Sequence, residues 1–348
     1  MPYFDPQPKK RREDFFDMDE ELERFLKCVS VSRLTIVTGL RRYGKTSLIL
    51  TGLNEARERY VFIDCRVLPE GMISLSDVVS LIEEELRGKS WARKLVESIE
   101  GVEVLGVRVR IRRDMATLAR VLKSLDNAVL VIDEAQELRR SRHRFDALLA
   151  YLYDHSDVRI VVSGSQVGML YRFLRLGDPD SPLFGRPVCE VRLRKLPSDL
   201  AREFLEEGFR QVGIEPPKSD IEKAIEVLDG VIGWLTFYGY SYAYLGLRDV
   251  GAILEEASKL ALRELEHALH LYQSARSRYV AILKAIATLG EASWSEILRF
   301  VEAKVGKVPR NTFSNMLKNL VDLGIVERDK GYRIADPVLK HAISKYLR

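Results

Sequence analysis

Residues 39–47 read Gly-Leu-Arg-Arg-Tyr-Gly-Lys-Thr-Ser, between an apolar run at residues 34–37 and a stretch with Leu48, Ile49, Leu50 and Leu53 at helical spacing. A Gly-x-x-x-x-Gly-Lys-Thr loop between a strand and a helix restricts the chain to an α/β fold built around phosphate. Gly39 and Gly44 permit the loop conformation, and successive N–H groups of Leu40, Arg41, Arg42, Tyr43, Gly44, Lys45, Thr46 and Ser47 are expected to cradle phosphate oxygens. Lys45 is placed to reach the β- and γ-phosphates, and the Thr46 hydroxyl to ligate Mg²⁺. The positive end of the following helix favours the same anion. The spacing predicts a nucleoside triphosphate site.

A second motif lies at residues 128–134. A short apolar run suited to a fully buried strand ends in Asp133-Glu134. In an open parallel sheet such a strand delivers its carboxylates to the edge where ligands bind. Asp133 is expected to hold Mg²⁺ through water, and Glu134 to polarise an attacking water, which favours hydrolysis over phosphoryl transfer to an alcohol. Alone, an acidic pair after a strand is more often a loop start or helix cap. The phosphate loop upstream gives it a chemical reading.

Apolar runs at residues 34–37, 60–63, 128–132, 158–162 and 188–193 alternate with helical patterns, which predicts a parallel five-stranded sheet covered on both faces. One helix is expected at residues 75–86, with Ser76 as its cap. Residues 102–111 alternate around Gly106 and read as a β-hairpin inserted in the core. Beyond Leu196-Pro197 strand signals stop, and helices are expected at 199–212, 219–228, 233–245 and 250–272, with Ser219 or Asp220 capping the second. The last segment predicts helices at 278–289, 293–305 and 310–323, then strands at 325–328 and 332–334 joined by Asp329-Lys330-Gly331. Three helices and a hairpin describe a winged helix. The third helix buries Phe313, Met316, Leu317, Leu320 and Leu323, leaving Arg310, Asn311, Ser314, Asn315 and Lys318 as a polar surface for phosphates or base edges. Packing against protein is the competing use of that surface. The expected division is a P-loop ATPase core at 1–195, a helical lid at 196–275 and a winged helix at 276–348.

The net charge of +4 is unevenly spread: residues 276–348 hold fourteen Lys/Arg against seven Asp/Glu, while residues 1–275 carry −3. Basic character at one end points to a polyanionic partner. Lys9, Lys10, Arg11 and Arg12 read as a mobile basic tail able to brush nucleic acid. Cys28, Cys65 and Cys189 form no Cys-x-x-Cys pair and are expected as buried free thiols in a reducing cytoplasm. His267 and His270 share a helix face without cysteine or carboxylate partners, which argues against a metal centre there. No apolar run has the length of a membrane span and no signal-peptide pattern opens the chain, so the expected location is cytoplasmic with no membrane partner.

With these motifs in view the chain resembles the archaeal ATPase family of the STAND branch, AAA+-like P-loop NTPases with a C-terminal winged helix. The matching pieces are FFDMDEEL (15–22), GLRRYGKTS, LVIDEAQ (130–136), VVSGSQVG (161–168), LFGRP (183–187), GWL (233–235) and YRIADPVL (332–339). The resemblance implies a polar sensor of the γ-phosphate at Ser163, with Ser165 nearby, and a phosphate-contacting arginine at Arg186, acting in cis or across a subunit boundary. An ion pair is the structural alternative for Arg186. Arg41 and Arg42 are expected to face solvent or an oligomer partner without a catalytic part. Met18 stands where the family carries arginine, and Gly230-Val231-Ile232-Gly233-Trp234-Leu235 lacks the proline of the family's lid motif. Trp234 is read as core packing rather than an adenine platform. The expected activity is a Mg²⁺-dependent ATPase acting as a molecular switch, with double-stranded DNA as partner through the winged helix. A non-hydrolysing nucleotide-binding scaffold that docks a protein partner is the rival of another class, and a homo-oligomer is a further expected partner. A small-molecule kinase is disfavoured by Asp133-Glu134.

Overall fold

The computed structural model describes residues 2–347 and divides into two compact units: Pro8–Gly39 with Lys45–Leu193, and residues 2–7 with Leu40–Gly44 and residues 194–347. The first unit runs α1 (Asp19–Val31), β1 (Leu34–Thr38), α2 (Lys45–Glu55), β2 (Tyr60–Asp64), α3 (Leu75–Arg87), α4 (Ser90–Val96) and β3 (Val102–Leu105). It continues through β4 (Arg108–Ile111), α5 (Met115–Lys123), β5 (Val129–Asp133), α6 (Phe145–His155), β6 (Arg159–Gly164), α7 (Val167–Leu174) and β7 (Cys189–Arg192).

Five strands form one sheet in the order β2-β5-β6-β1-β7, all parallel. Every residue of β1 and β5 is buried, as central strands covered on both faces must be. Their register sets the site: Val37 lies opposite Ser163, and Asp64 opposite Asp133, so β1, β2, β5 and β6 end at one edge. The strands β3 and β4 pair antiparallel as a separate hairpin. The start of α3 is capped by Ser74, whose hydroxyl and backbone N–H exchange hydrogen bonds with Asp77. The expected cap, Ser76, lies inside the helix; extended Ser74 with Asp77 three residues on completes a capping box that Ser76 does not.

Two further expectations are corrected here. Cys28 and Cys189 form a disulfide with Cα atoms 5.4 Å apart, because α1 lies along the edge strand β7; among the described residues Cys65 alone is a free, buried thiol. The basic run at residues 9–12 is not a loose tail. The Lys9 N–H donates to Ser47 Oγ (3.0 Å), Asn54 Nδ2 donates to the Lys10 carbonyl (3.0 Å), and Arg12 donates to the Phe15 carbonyl (2.9 Å) and pairs with Asp19. Buried Phe15, Phe16 and Met18 anchor the chain as it enters α1.

The second unit is helical: α8 (Ser198–Gln211), α9 (Lys218–Leu228), α10 (Ile232–Tyr244), α11 (Val250–Leu269), α12 (Arg276–Leu289), α13 (Trp294–Val305) and α14 (Arg310–Asp322), then β8 (Val326–Arg328), β9 (Tyr332–Ile334) and α15 (Pro337–Tyr346). Phe4 enters its core as a knob against Phe204 and Phe209, at a hole left by two glycines: a Cβ on Gly208 or Gly239 would lie 2.5 or 2.2 Å from its ring. Neither Ser219 nor Asp220 caps α9; the N-cap position is Pro217, without a side-chain hydrogen bond. In the last segment Ser293 and Glu296 form a capping box at α13, β8 pairs antiparallel with β9, and Ala292 bridges to Tyr332. The terminal α15 is an addition to the expected elements, capped by Asp336, which accepts the Leu339 N–H (3.0 Å).

Candidate active site

The phosphate loop leaves β1 through Gly39 (φ 152°) and turns at Arg42 (φ 68°) and Gly44 (φ 84°) before α2 begins at Lys45. A Cβ on Gly39 would meet Leu193, just past β7, at 3.1 Å, a tight contact, and the φ of 152° itself disfavours a side chain there. The Lys45 ammonium is buried and donates to the Gly39 carbonyl at 2.8 Å, closing the loop on itself.

Around Lys45 the first unit gathers Thr46, Asp133, Glu134, Ser163 and Ser165. Asp133 is 1% exposed and accepts from Thr46 Oγ1 (2.8 Å) on one carboxylate oxygen and from Ser163 Oγ on the other. Burial pushes its carboxyl upward and the charge of Glu134 adds to this, against the pull of Ser163, Thr46 and Arg66. Glu134 sits at φ 52°, ψ 45°, a left-handed conformation unfavourable for glutamate, of the kind that clusters at functional sites. Its carboxylate accepts from Gln136 Nε2 (2.6 Å), Ser165 N–H (3.0 Å) and Ser165 Oγ (2.7 Å). Burial alone would raise its pKa. The Lys45 charge and the Gln136 and Ser165 hydrogen bonds outweigh burial, and the net direction is downward, which keeps Glu134 ionised as a general base requires. Gly164 allows this packing, since a Cβ there would lie 2.5 Å from Gln136 Oε1.

The Thr46 hydroxyl and the Asp133 carboxylate touch, and both are hard oxygen donors; this pair fits Mg²⁺, and the loop with Lys45 fits a polyphosphate. Sequence reasoning passed over two members of the cluster. Arg66, just past β2, is bidentate on Asp64 and lies 3.9 Å from Asp133 Oδ2, brought there by the Asp64–Asp133 register. Gln136, within the motif already recognised, holds Glu134.

The other expected residues lie elsewhere. Arg186 forms a bidentate pair with Asp154 (3.0 and 2.6 Å) beside the Tyr153 ring, and makes no hydrogen bond or ion pair to Lys45, Asp133 or Glu134 among the described residues. Ser47 Oγ is engaged by the Lys9 N–H. Arg310, Asn311, Ser314, Asn315 and Lys318 are all exposed on α14, and Ser314 Oγ accepts from the Trp294 indole N–H (3.1 Å).

The middle of the loop belongs to the second unit, and here the expectation for Arg42 is corrected. Its side chain is 19% exposed, donates to both carboxylate oxygens of Glu264 (2.9 and 2.6 Å), and stacks 3.8 Å over the Trp234 ring. The Gly233 N–H donates to the Arg42 carbonyl (3.0 Å), an approach open only to glycine because a Cβ would fall 2.5 Å from Arg42 Cβ. Trp234 is buried, and its indole N–H donates to Asp336 Oδ2 (2.8 Å) at the start of α15. Arg41 is mostly exposed, 3.5 Å from Glu264. Tyr43 is buried, its hydroxyl pushed upward by burial and by Glu327, Asp336 and Asp229.

The parallel sheet, the lysine-bearing loop and the Asp133-Glu134 pair define a P-loop ATPase. Residues 15–236 match the family described as an ATPase domain predominantly from Archaea, and residues 273–335 match the C-terminal winged helix-turn-helix domain of MCM proteins. The chain belongs to this archaeal ATPase family. Among solved structures, the Walker-type ATPase Paby2304 of Pyrococcus abyssi is 34% identical, with 98% of this chain and 99% of that one aligned at a TM-score of 0.84. The Thermotoga maritima RuvB Holliday junction branch migration motor aligns over 97% of this chain and 98% of its own at 14% identity and a TM-score of 0.47. A search of curated proteins returned no match.

Proposed function

We propose that this ATPase is a nucleotide-dependent switch of the STAND type whose winged helix binds duplex DNA. One observation carries the reading: Arg42, at the centre of the phosphate loop, is joined through Trp234 to Asp336, the residue that starts α15 of the C-terminal segment. A nucleotide that binds the loop more tightly in one arrangement of this chain than in another shifts the balance between the two, and by linkage DNA does the same in reverse. In function the chain divides into an ATPase core at 1–195, a lid at 196–275 and a winged helix at 276–348.

At the catalytic end, the loop and Lys45 bind the triphosphate, and Thr46 and Asp133 hold Mg²⁺, which supplies charge neutralisation at the phosphates when bound. Glu134 takes the proton of the attacking water; Ser165 and Gln136 aim the Glu134 carboxylate, and Lys45 with these hydrogen bonds keeps it ionised. Ser163 fixes the Asp133 carboxylate through its hydroxyl hydrogen bond. At the other end, Arg310, Asn311, Asn315 and Lys318 present donors to the duplex, with Ser314 oriented by Trp294.

The test is fluorescence anisotropy of a mixed-sequence duplex with the wild type and Arg310→Ala/Lys318→Ala, in Mg-ATP and Mg-ADP across a salt series. The reading expects affinities at least about fivefold apart between the two nucleotides, and weaker, less salt-sensitive binding in the variant. Equal affinity in both nucleotides with no effect of the variant overturns it.

A further inference from the structure

The hairpin β3–β4 carries one feature that the ATPase site does not use. One face is anchored: Val109 and Ile111 are buried, Val102 and Val104 pack on the core, and Glu83 of α3 accepts from the Ile111 N–H (2.5 Å) and pairs with Arg113 (2.9 Å). The opposite face and the tip stand in solvent. Leu105 is 67% and Val107 58% exposed on either side of Gly106 (φ 61°), and Arg108 and Arg110 are both exposed.

The four arginines of this strand and its continuation are not equivalent. Arg112 is neutralised by Asp114 (2.6 Å) and Arg113 by Glu83, whereas Arg108 and Arg110 have no hydrogen bond or ion pair among the described residues. Glu103, opposite Arg110 in register, does not approach it within ion-pair distance among the described residues. Charge on an exposed edge strand often serves only to prevent sheet-to-sheet association. That role needs charge alone and gives no use to Leu105 and Val107, which stand in solvent beside the two arginines.

We infer that the β3–β4 hairpin is a second contact for duplex DNA, with Arg108 and Arg110 on backbone phosphates and Leu105 and Val107 as an apolar wedge at a base step. Arginines two apart on a strand are about 6.8 Å apart along it, a spacing that lets both guanidinium groups reach backbone phosphates of one DNA strand. Two guanidinium groups that form no ion pair among the described residues, beside a small apolar tip, suit a groove edge, where phosphate charge flanks base steps open to an apolar side chain. The inference rests on the reading that this chain binds DNA, but on different residues from those of α14.

The experiment is duplex binding by the full chain, wild type against Arg108→Ala/Arg110→Ala, Leu105→Ser/Val107→Ser and Arg310→Ala/Lys318→Ala, from 50 to 300 mM salt. Removing one phosphate-bound arginine lowers the slope of log K against log salt by roughly 0.9, so the arginine pair is expected to flatten it by about 1.8 and to weaken binding roughly tenfold or more at low salt. The tip variant should weaken binding with the slope unchanged. Turnover without DNA should equal wild type in both hairpin variants, because none of the four residues touches the ATPase cluster. Unchanged affinity and slope in both hairpin variants, with a loss in Arg310→Ala/Lys318→Ala, overturn the hairpin contact and leave the winged helix standing. Absence of duplex binding by wild type overturns both. A hairpin variant that changes only self-association, or only adhesion to anionic vesicles, also overturns the assignment.

Discussion

The Cys28–Cys189 bond closes a loop spanning 161 residues, from α1 around the sheet to its edge strand β7. On the chain-entropy account, a loop of this length restricts the unfolded chain by about 17 cal/mol/K, or about 5 kcal/mol at 25 °C. Because unfolded chains are not ideal and part of the effect is enthalpic, about 3–5 kcal/mol is the working range. With a urea dependence of roughly 2 kcal/mol per M, the unfolding midpoint falls by about 1.5–2.5 M on cleavage. The assay is urea unfolding of oxidised wild type, reduced wild type, Cys28→Ala, Cys189→Ala and the double variant, with Cys65→Ala as control. The two single variants should lose nearly the same amount, since either breaks the same bond, and the double variant should lose little more. Coincident midpoints for oxidised and reduced protein, or three reactive thiols in unreduced denatured protein, would refute the reasoning.

Other expected outcomes concern the two clusters around the phosphate loop. Gly233→Ala forces a Cβ to within 2.5 Å of Arg42 Cβ, and overpacking of this kind costs about 1–3 kcal/mol; the melting temperature should fall and ATP affinity change with it, read by calorimetry. Ser163→Ala removes a donor from a buried carboxylate, so it should destabilise by about 1–3 kcal/mol and raise the Mg²⁺ concentration needed for half-maximal turnover. Asp336 has its pKa raised, first by burial and against the Trp234 and Leu339 hydrogen bonds and the Arg42 charge. In the folded chain it therefore binds a proton at a pH where the unfolded chain has released it. Its contribution to stability is fully present below the ordinary aspartate value of 3.8 and lost as pH rises through the folded value. Thermal unfolding of wild type and Asp336→Asn should show wild type gaining on the variant as pH is lowered toward 4.

How far the sequence carried the structure depended on distance along the chain. The five sheet strands were legible because each is a short apolar run, fully buried in the central β1 and β5 though only partly so in the edge strands β2 and β7, and the Walker residues because their spacing is local. Ser74 was missed in favour of Ser76 because both hydroxyls precede an apolar run, and only backbone geometry separates them. The disulfide left no spacing signal, since it depends on α1 lying along β7. Arg42 looked like a solvent-facing residue of a loop; its partners Trp234 and Glu264 come from helices that only folding brings to it. Arg66 escaped notice for the same reason, as its place beside Asp133 follows from strand register. The basic run at residues 9–12 was misread because composition reports charge and not the backbone bonds that fix Lys9 and Lys10.

Glu134, kept ionised by the Lys45 charge with the Gln136 and Ser165 hydrogen bonds and aimed by those two residues, is the group proposed to activate the water at a site where Lys45 and the loop bind ATP. The most direct test measures ATP affinity and single-turnover hydrolysis in wild type, Lys45→Ala and Glu134→Gln. The account predicts loss of ATP binding in Lys45→Ala, and in Glu134→Gln an affinity near wild type with hydrolysis slowed roughly 10²-fold or more. Hydrolysis at the wild-type rate in Glu134→Gln would contradict it.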